Sequence, residues 1–302
     1  MSGLKLFRFP FKAMGAPCEL QLFSENTLLA KHCAHAVIAD TARLESKYSR
    51  YKTDSYLSAI NQVATSAGEF EVDSETAALL NYADTCYQQS DGLFDISSGI
   101  LGQAWKLTGS ERPSASRIDA LLACVGWEKV GWQAPRLTFS RPGMALDFGG
   151  IVKEYAADRV ATLCHDMGVH HGVINLGGDI RIIGPRPDRQ PWRIGIQHPR
   201  KADDTLLTLS LFKGAVATSG DYARFIMIDG KRYTHILNPK TGWPVSHLAA
   251  VTVVADLCVI AGSASTIAML KQQEGEDWLR SLALPYLCYS SDDSIGSEGI
   301  RI

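Results

Sequence analysis

The sequence predicts an α+β fold on three observations. Helical apolar stripes dominate the first half of the chain, short alternating or β-branched runs dominate the second, and Asp229-Gly230 joins two of those runs as a hairpin turn. The chain has 302 residues. At roughly 150 residues per domain that length allows one large unit or two small ones. The loops over 109–116 and 184–191 are too short to mark a boundary, so one domain over 1–302 is expected.

Pro17 to Ser24 alternates and reads as a strand, and Thr27 to Tyr48 carries an apolar stripe through Leu28, Leu29, Val37, Ile38 and Leu44. Asp73-Ser74 opens a helix to about Gln89 as its N-cap, and Ser116 can cap a short helix that Gly126 ends. Val152 to Met167 is a helix with Gly168 as its stop. Met144–Phe148, Gly172–Leu176, Ile180–Ile183, Trp192–Gln197 and Leu206–Leu211 read as strands, and Arg224–Ile228 and Lys231–Ile236 flank the hairpin turn. Ala249–Ala255 is a β-branched run suited to a buried strand, followed by a helix over Val259–Lys271.

Composition excludes several functions. The 46% hydrophobic and 21% charged residues are those of a folded globular chain. A net charge of −2 supplies no basic field for nucleic acid. No apolar run approaches the roughly 20 residues of a membrane span. Seven irregularly spaced cysteines without a CxxC pair argue against both a disulfide framework and a structural zinc site. Lys5, Arg8, Pro10 and Lys12 interrupt the N-terminal segment, which leaves no apolar core for a signal peptide. Cys18 has no apolar segment before it to make a lipoprotein anchor. A cytoplasmic protein is expected.

Three loops repeat one pattern: Asp147-Phe148-Gly149-Gly150 before a helix with Lys153 in its first turn, Asn175-Leu176-Gly177-Gly178-Asp179, and Thr218-Ser219-Gly220-Asp221. Glycines let backbone N–H groups approach a ligand closely, a helix N-terminus suits phosphate, and single carboxylates can hold a cation or accept a proton. Each loop alone is equally a plain turn. No GxGxxG or GxxxxGK[ST] nucleotide signature is present. His170-His171 reads as a solvated pair. His235, on the second hairpin strand before Asn238-Pro239-Lys240-Thr241-Gly242, is either an acid/base or phosphate group or a cross-strand partner.

Taken together and in this order, Met14-Gly15, Ser49-Arg50-Tyr51 with Asp54-Ser55 and Asn61, Asp91-Gly92-Leu93-Phe94-Asp95, Leu146 to Lys153, Asn175 to Asp179, Ala217 to Tyr222, His235 to Gly242 and Ser265-Thr266 resemble the FAD:protein FMN transferases, the ApbE-type flavin transferases. The resemblance runs from Met14 to about Leu270. It implies one large domain of mixed, mainly antiparallel strands flanked by helices. It also implies FAD as substrate, Mg²⁺ on the pyrophosphate, and transfer of FMN to a Ser or Thr hydroxyl of a partner flavoprotein with release of AMP. Catalytic roles would fall to Asp147, Lys153, Asp221 and His235. Met14 and Tyr51 would lie at the flavin end. Asp95, Gly149, Gly150, Gly177, Gly178, Asp179, Thr218 and Ser219 would complete the nucleotide site, with Thr266 as a metal ligand.

Two positions depart from the family pattern. Ala16 stands where Thr is usual, and Gly262 stands where the family has the metal-binding Asp four residues before Thr266. One helical turn separates positions 262 and 266, so the face is kept and the carboxylate is lost. Asp256 lies too far from Thr266 to replace it on that turn. Weak Mg²⁺ binding and a gain of activity on Gly262→Asp are therefore expected. The alternatives are a flavin-binding homologue with lost or weakened catalysis, or a slow FAD pyrophosphatase. Asp179 or Asp221 is a possible substitute carboxylate.

Overall fold

The structure, a computed structural model, describes residues 3–105 and 111–300. The 109–116 loop lies partly outside them. The chain opens with a hairpin of β1 (Lys5–Ala13) and β2 (Ala16–Ser24), turning at Met14 and Gly15, which both have positive φ as a two-residue turn requires. The sequence reading missed β1. Phe7, Phe9 and Phe11 half-bury on one face while Arg8, Pro10 and Lys12 point outward. The charges that break the apolar run are thus the exposed set of an edge strand, where Pro is tolerated.

Next come α1 (Thr27–Tyr48), α2 (Tyr56–Ser66), β3 (Gly68–Glu71) and α3 (Ser74–Gln89). Asp73 caps α3 as expected, accepting from Thr76 N at 2.8 Å. In α4 (Ala115–Leu122) the cap is Ser114 and not Ser116, because the Ser114 hydroxyl is the one that reaches the Arg117 N–H. β4 (Val130–Gln133) and β5 (Arg136–Phe139) complete a small sheet with β3. Met144–Phe148 is not a strand. It is largely buried, but the Asn61 side chain takes both the N–H and C=O of Leu146, and Asp147 N donates to Ile96 O, so no ladder forms.

The remainder runs α5 (Val152–Asp166), β6 (Gly172–Leu176), β7 (Asp179–Gly184), β8 (Trp192–Gln197), β9 (Thr205–Leu211), β10 (Ala215–Gly220), β11 (Phe225–Ile228), β12 (Lys231–Thr234), β13 (Leu248–Ala255), α6 (Cys258–Lys271), α7 (Gly275–Ser281), β14 (Tyr286–Ser290) and β15 (Ile295–Glu298).

Eight strands form the main sheet in the order β1-β2-β6-β7-β10-β13-β14-β15, and every ladder among the described residues is antiparallel. The N-terminal hairpin pairs with β6, so the helix-rich first half and strand-rich second half share one sheet. Leu20, Ile174 and Leu176 face the helices, packing in one core with Val37 of α1 and Ala157 and Val160 of α5. Val251 and Val253 pack with Ala261 and Ala264 of α6. The β8–β9 hairpin covers the opposite face at Val173, Ile182 and Val216. This antiparallel order brings the Met14-Gly15 turn, the Gly177-Gly178 turn and the Ser219-Gly220 end of β10 to one end of the sheet.

The seven cysteines form no disulfide, and six are buried. Among the described residues no helix is long and apolar enough to cross a membrane.

Candidate functional site

The site grows from the turn between β6 and β7. Gly177 and Gly178 both adopt positive φ, 61° and 98°, and Gly178 N donates to Asn175 Oδ1 at 2.8 Å. A Cβ on Gly177 would stand 2.6 Å from that of Ala16, so the departure to Ala at position 16 sits where the two hairpin turns touch. The turn delivers Asp179, only 2% exposed, onto the helical face of the sheet.

Helix α5 faces it. Asp147 Oδ1 accepts from Gly149 N at 2.9 Å, and its Oδ2 accepts from Arg50 at 2.5 Å. The Gly149-Gly150 loop then places Lys153 and Glu154 in the first helical turn. Lys153 Nζ lies 2.6 Å from Asp179 Oδ2. Burial acts to lower the Lys153 pKa, but Asp179 and then Glu154 outweigh it and the net shift is upward.

Glu154 was not foreseen. It is 7% exposed, and its Oε2 finds no hydrogen-bond partner among the described residues. Burial, reinforced by the charge of Asp179, raises its pKa to about 8. Its side chain runs against α6 at Gly262, where an added Cβ would stand 2.4 Å from Glu154 Cγ. The space a side chain at 262 would need is filled by a carboxylic acid from α5.

Above this contact lies a run of hydroxyls. Ser219 Oγ is 2.8 Å from Ser265 Oγ and 2.9 Å from Thr266 Oγ1, and Ser265 Oγ donates to Gly262 O. Thr218 does not join them. Adjacent strand residues point to opposite faces, and Thr218 Oγ1 pairs with Thr252 Oγ1 at 2.8 Å on the far side of the sheet. Among the described residues no group of three or more His, Cys, Asp or Glu side chains gathers as a metal site.

Two further predicted residues flank this end. Asp221 is buried and clamped by Arg200 at 2.6 and 2.9 Å, with Arg232 at 3.4 Å, so neither Asp221 nor its partners are loose. This engagement makes Asp221 a poor substitute for a carboxylate at position 262.

His235 falls just past β12 and not on it, because the ladder stops at the Phe225–Thr234 pair. Its Nδ1 is 3.0 Å from Arg224 O. A carbonyl only accepts, so Nδ1 carries the proton and Nε2 is the basic nitrogen. The residue is exposed, yet desolvation by surrounding protein lowers its pKa, and the charges of Arg224 and Lys153 act the same way against the carbonyl's opposing effect.

Tyr51 is 81% exposed, its ring 5.5 Å from the Arg50 guanidinium that also holds Asp147. Met14 packs half-buried against the main core. Asp95 is not gathered with these groups. One oxygen accepts from Ser97 N and Oγ and the other from Trp127 N, which makes it an internal strut. His170 lies against His165, Nδ1 to Nδ1 3.0 Å, also away from the site. Two open surface recesses, of about 390 and 420 Å³, contain none of the predicted site residues.

Of the groups the sequence reading missed, Arg50 lay inside a quoted motif. Arg200 and Arg232 carried no local signal. Glu154 adjoins Lys153 in sequence, but its meaning depends on what α6 places opposite it.

Comparison with known proteins gives one answer. The ApbE family profile matches residues 14–287. A FAD:protein FMN transferase of Vibrio cholerae is 30% identical over 267 residues, covering 82% of this chain and 79% of that protein. One from Haemophilus influenzae is 26% identical over 275 residues, covering 87% and 80%. The crystal structure of the ApbE protein of Thermotoga maritima superposes with a TM-score of 0.88 at 30% identity, covering 98% of this chain and 97% of that one. The flavin transferase ApbE of Vibrio cholerae superposes with a TM-score of 0.86 at 25% identity. The profile covers most of the chain and the relatives are covered over most of their length, so this chain belongs to the ApbE family.

Proposed function

We propose that this protein transfers FMN from FAD to a Ser or Thr hydroxyl of a target flavoprotein. The acceptor oxygen forms a bond to the FMN phosphorus, the pyrophosphate P–O bond breaks, AMP leaves, and the acceptor proton passes to a protein base. The observation that carries this reading is Lys153, held by Asp179 at the start of α5 beside two glycine turns and a run of hydroxyls. Displacement at phosphorus needs positioning and charge neutralisation more than covalent chemistry.

Lys153 faces the pyrophosphate with Gly149 and Gly150, and Ser219 lines the same face. Asp147 is oriented by Arg50. His235, with Nε2 as its basic nitrogen and its pKa lowered, takes the acceptor proton. Asp221 positions Arg200 and Arg232. Tyr51 stacks on the flavin, and Met14 closes that end.

A hard divalent cation such as Mg²⁺ fits a site whose donors are all oxygen and where a buried carboxylate oxygen is left unbonded. Thr266, backbone carbonyls near Gly149-Gly150 and the FAD phosphates are its other candidate ligands. When bound, it supplies positive charge to the displacement.

The test is incubation with FAD, Mg²⁺ and a Thr-containing acceptor peptide, read by mass spectrometry. Gain of one FMN with equimolar AMP is expected. FMN and AMP without a modified peptide indicate a pyrophosphatase. A rise in melting temperature with FAD but no turnover indicates a binding homologue.

A further inference from the structure

We infer that Glu154 supplies from α5 the anionic cation ligand that Gly262 cannot supply from α6. This rests on the flavin-transferase reading above. Three observations carry it. The Glu154 side chain occupies the volume beside Gly262, an added Cβ there standing 2.4 Å from Glu154 Cγ. Glu154 Oε2 is buried without a hydrogen-bond partner among the described residues. It also neighbours a second buried carboxylate, Asp179, whose Oδ2 is close to Lys153 but not aligned to accept a hydrogen bond from it.

Two buried carboxyl groups served by one ammonium need either a proton or a cation to complete them, since each unpaired acceptor loses its hydration. Helices α5 and α6 are in contact at this point, and Thr266 stands one turn beyond Gly262, so a ligand from α5 reaches the same neighbourhood as one from position 262. A carboxylate at both positions would collide. A carboxylate at one of them, with glycine at the other, keeps one anionic ligand and a packed interface. The loss at Gly262 and the presence of Glu154 are thus two halves of one exchange.

The experiment is Mn²⁺ titration followed by electron paramagnetic resonance, on the full chain with and without FAD. It compares wild type, Glu154→Gln, and the swap Glu154→Gly with Gly262→Asp. Melting temperatures are recorded for each. Wild type is expected to bind Mn²⁺, more tightly with FAD present. Glu154→Gln, nearly isosteric, should weaken Mn²⁺ binding by at least roughly 10-fold while still binding FAD in EDTA. The swap should recover most of that loss. Wild-type Mn²⁺ affinity in Glu154→Gln overturns the proposal, as does a wild type that binds no Mn²⁺ in either condition. If Glu154→Gln does not fold, the swap decides: a folded swap that binds Mn²⁺ supports the exchange, and a folded swap that binds none, or one that fails to fold, refutes it. A wild type that binds Mn²⁺ through Glu154 yet transfers no FMN defeats the transferase reading and leaves the cation ligand standing.

Discussion

Lys153 Nζ stands 2.6 Å from Asp179 Oδ2, joining the first turn of α5 to the glycine turn between β6 and β7. The pair explains why a cation sits at a helix N-terminus, where the dipole disfavours it. Asp179 is almost wholly buried, and Lys153 compensates its charge while its own side chain is partly exposed.

Lys153→Ala should therefore do two things. FMN transfer should fall by about 100-fold or more with the loss of phosphate neutralisation. The fold should also weaken, by on the order of 2 kcal/mol, since Asp179 is left buried and unpaired. Adding Asp179→Asn should restore much of the denaturation midpoint without restoring transfer. A Lys153→Ala protein as stable and as active as wild type contradicts both roles.

Gly262→Ala should destabilise the α5–α6 contact by about 1–3 kcal/mol through overpacking against Glu154. The sequence alone led to a different expectation, a gain of transfer activity from Gly262→Asp. The structure opposes that gain, because the added side chain has no room while Glu154 remains. Chemical denaturation of Gly262→Ala decides it, and an unchanged midpoint would show that Glu154 yields freely.

His235→Gln should lower transfer by roughly 100- to 10,000-fold, the usual range for a lost general base. The sign of the pH dependence follows from the lowered pKa. The neutral ring is the active form, so wild-type transfer should rise as pH increases through a value below the ordinary histidine pKa and be flat above neutrality. The rising limb should vanish in the variant. A rate that falls as pH rises from 5 to 7 assigns His235 an acid role instead.

Tyr51→Ala should leave stability within about 0.5 kcal/mol, because the ring is largely exposed and touches Arg50 by a cation–π contact alone among the aromatic interactions described. FAD affinity should drop by about 2- to 10-fold, the loss of one aromatic stacking contact of roughly 0.5–1.5 kcal/mol. Fluorescence titration measures the second effect and thermal melting the first.

What the sequence determined by itself is what short-range chemistry controls. The strands Gly172–Leu176 and Trp192–Gln197 and the helix Thr27–Tyr48 occur with the boundaries their patterns predict, and Asp73 caps α3 because an N-cap needs only its own next three residues. The ordered motifs were enough to point to the family and to Lys153 and Asp179, which the fold brings together. Only the tertiary structure decided matters that depend on a distant partner. Met144–Phe148 has a strand's composition, but Asn61 takes the backbone groups a neighbouring strand would have used. Thr218 and Ser219 are adjacent in sequence and separated by the sheet, because pleating sends their side chains to opposite faces. Gly262 read alone is a lost ligand. Set against Glu154 it is the glycine that makes room for a carboxylate from another helix, a relation fixed by how α5 and α6 pack and carried by neither residue's own neighbours in the chain.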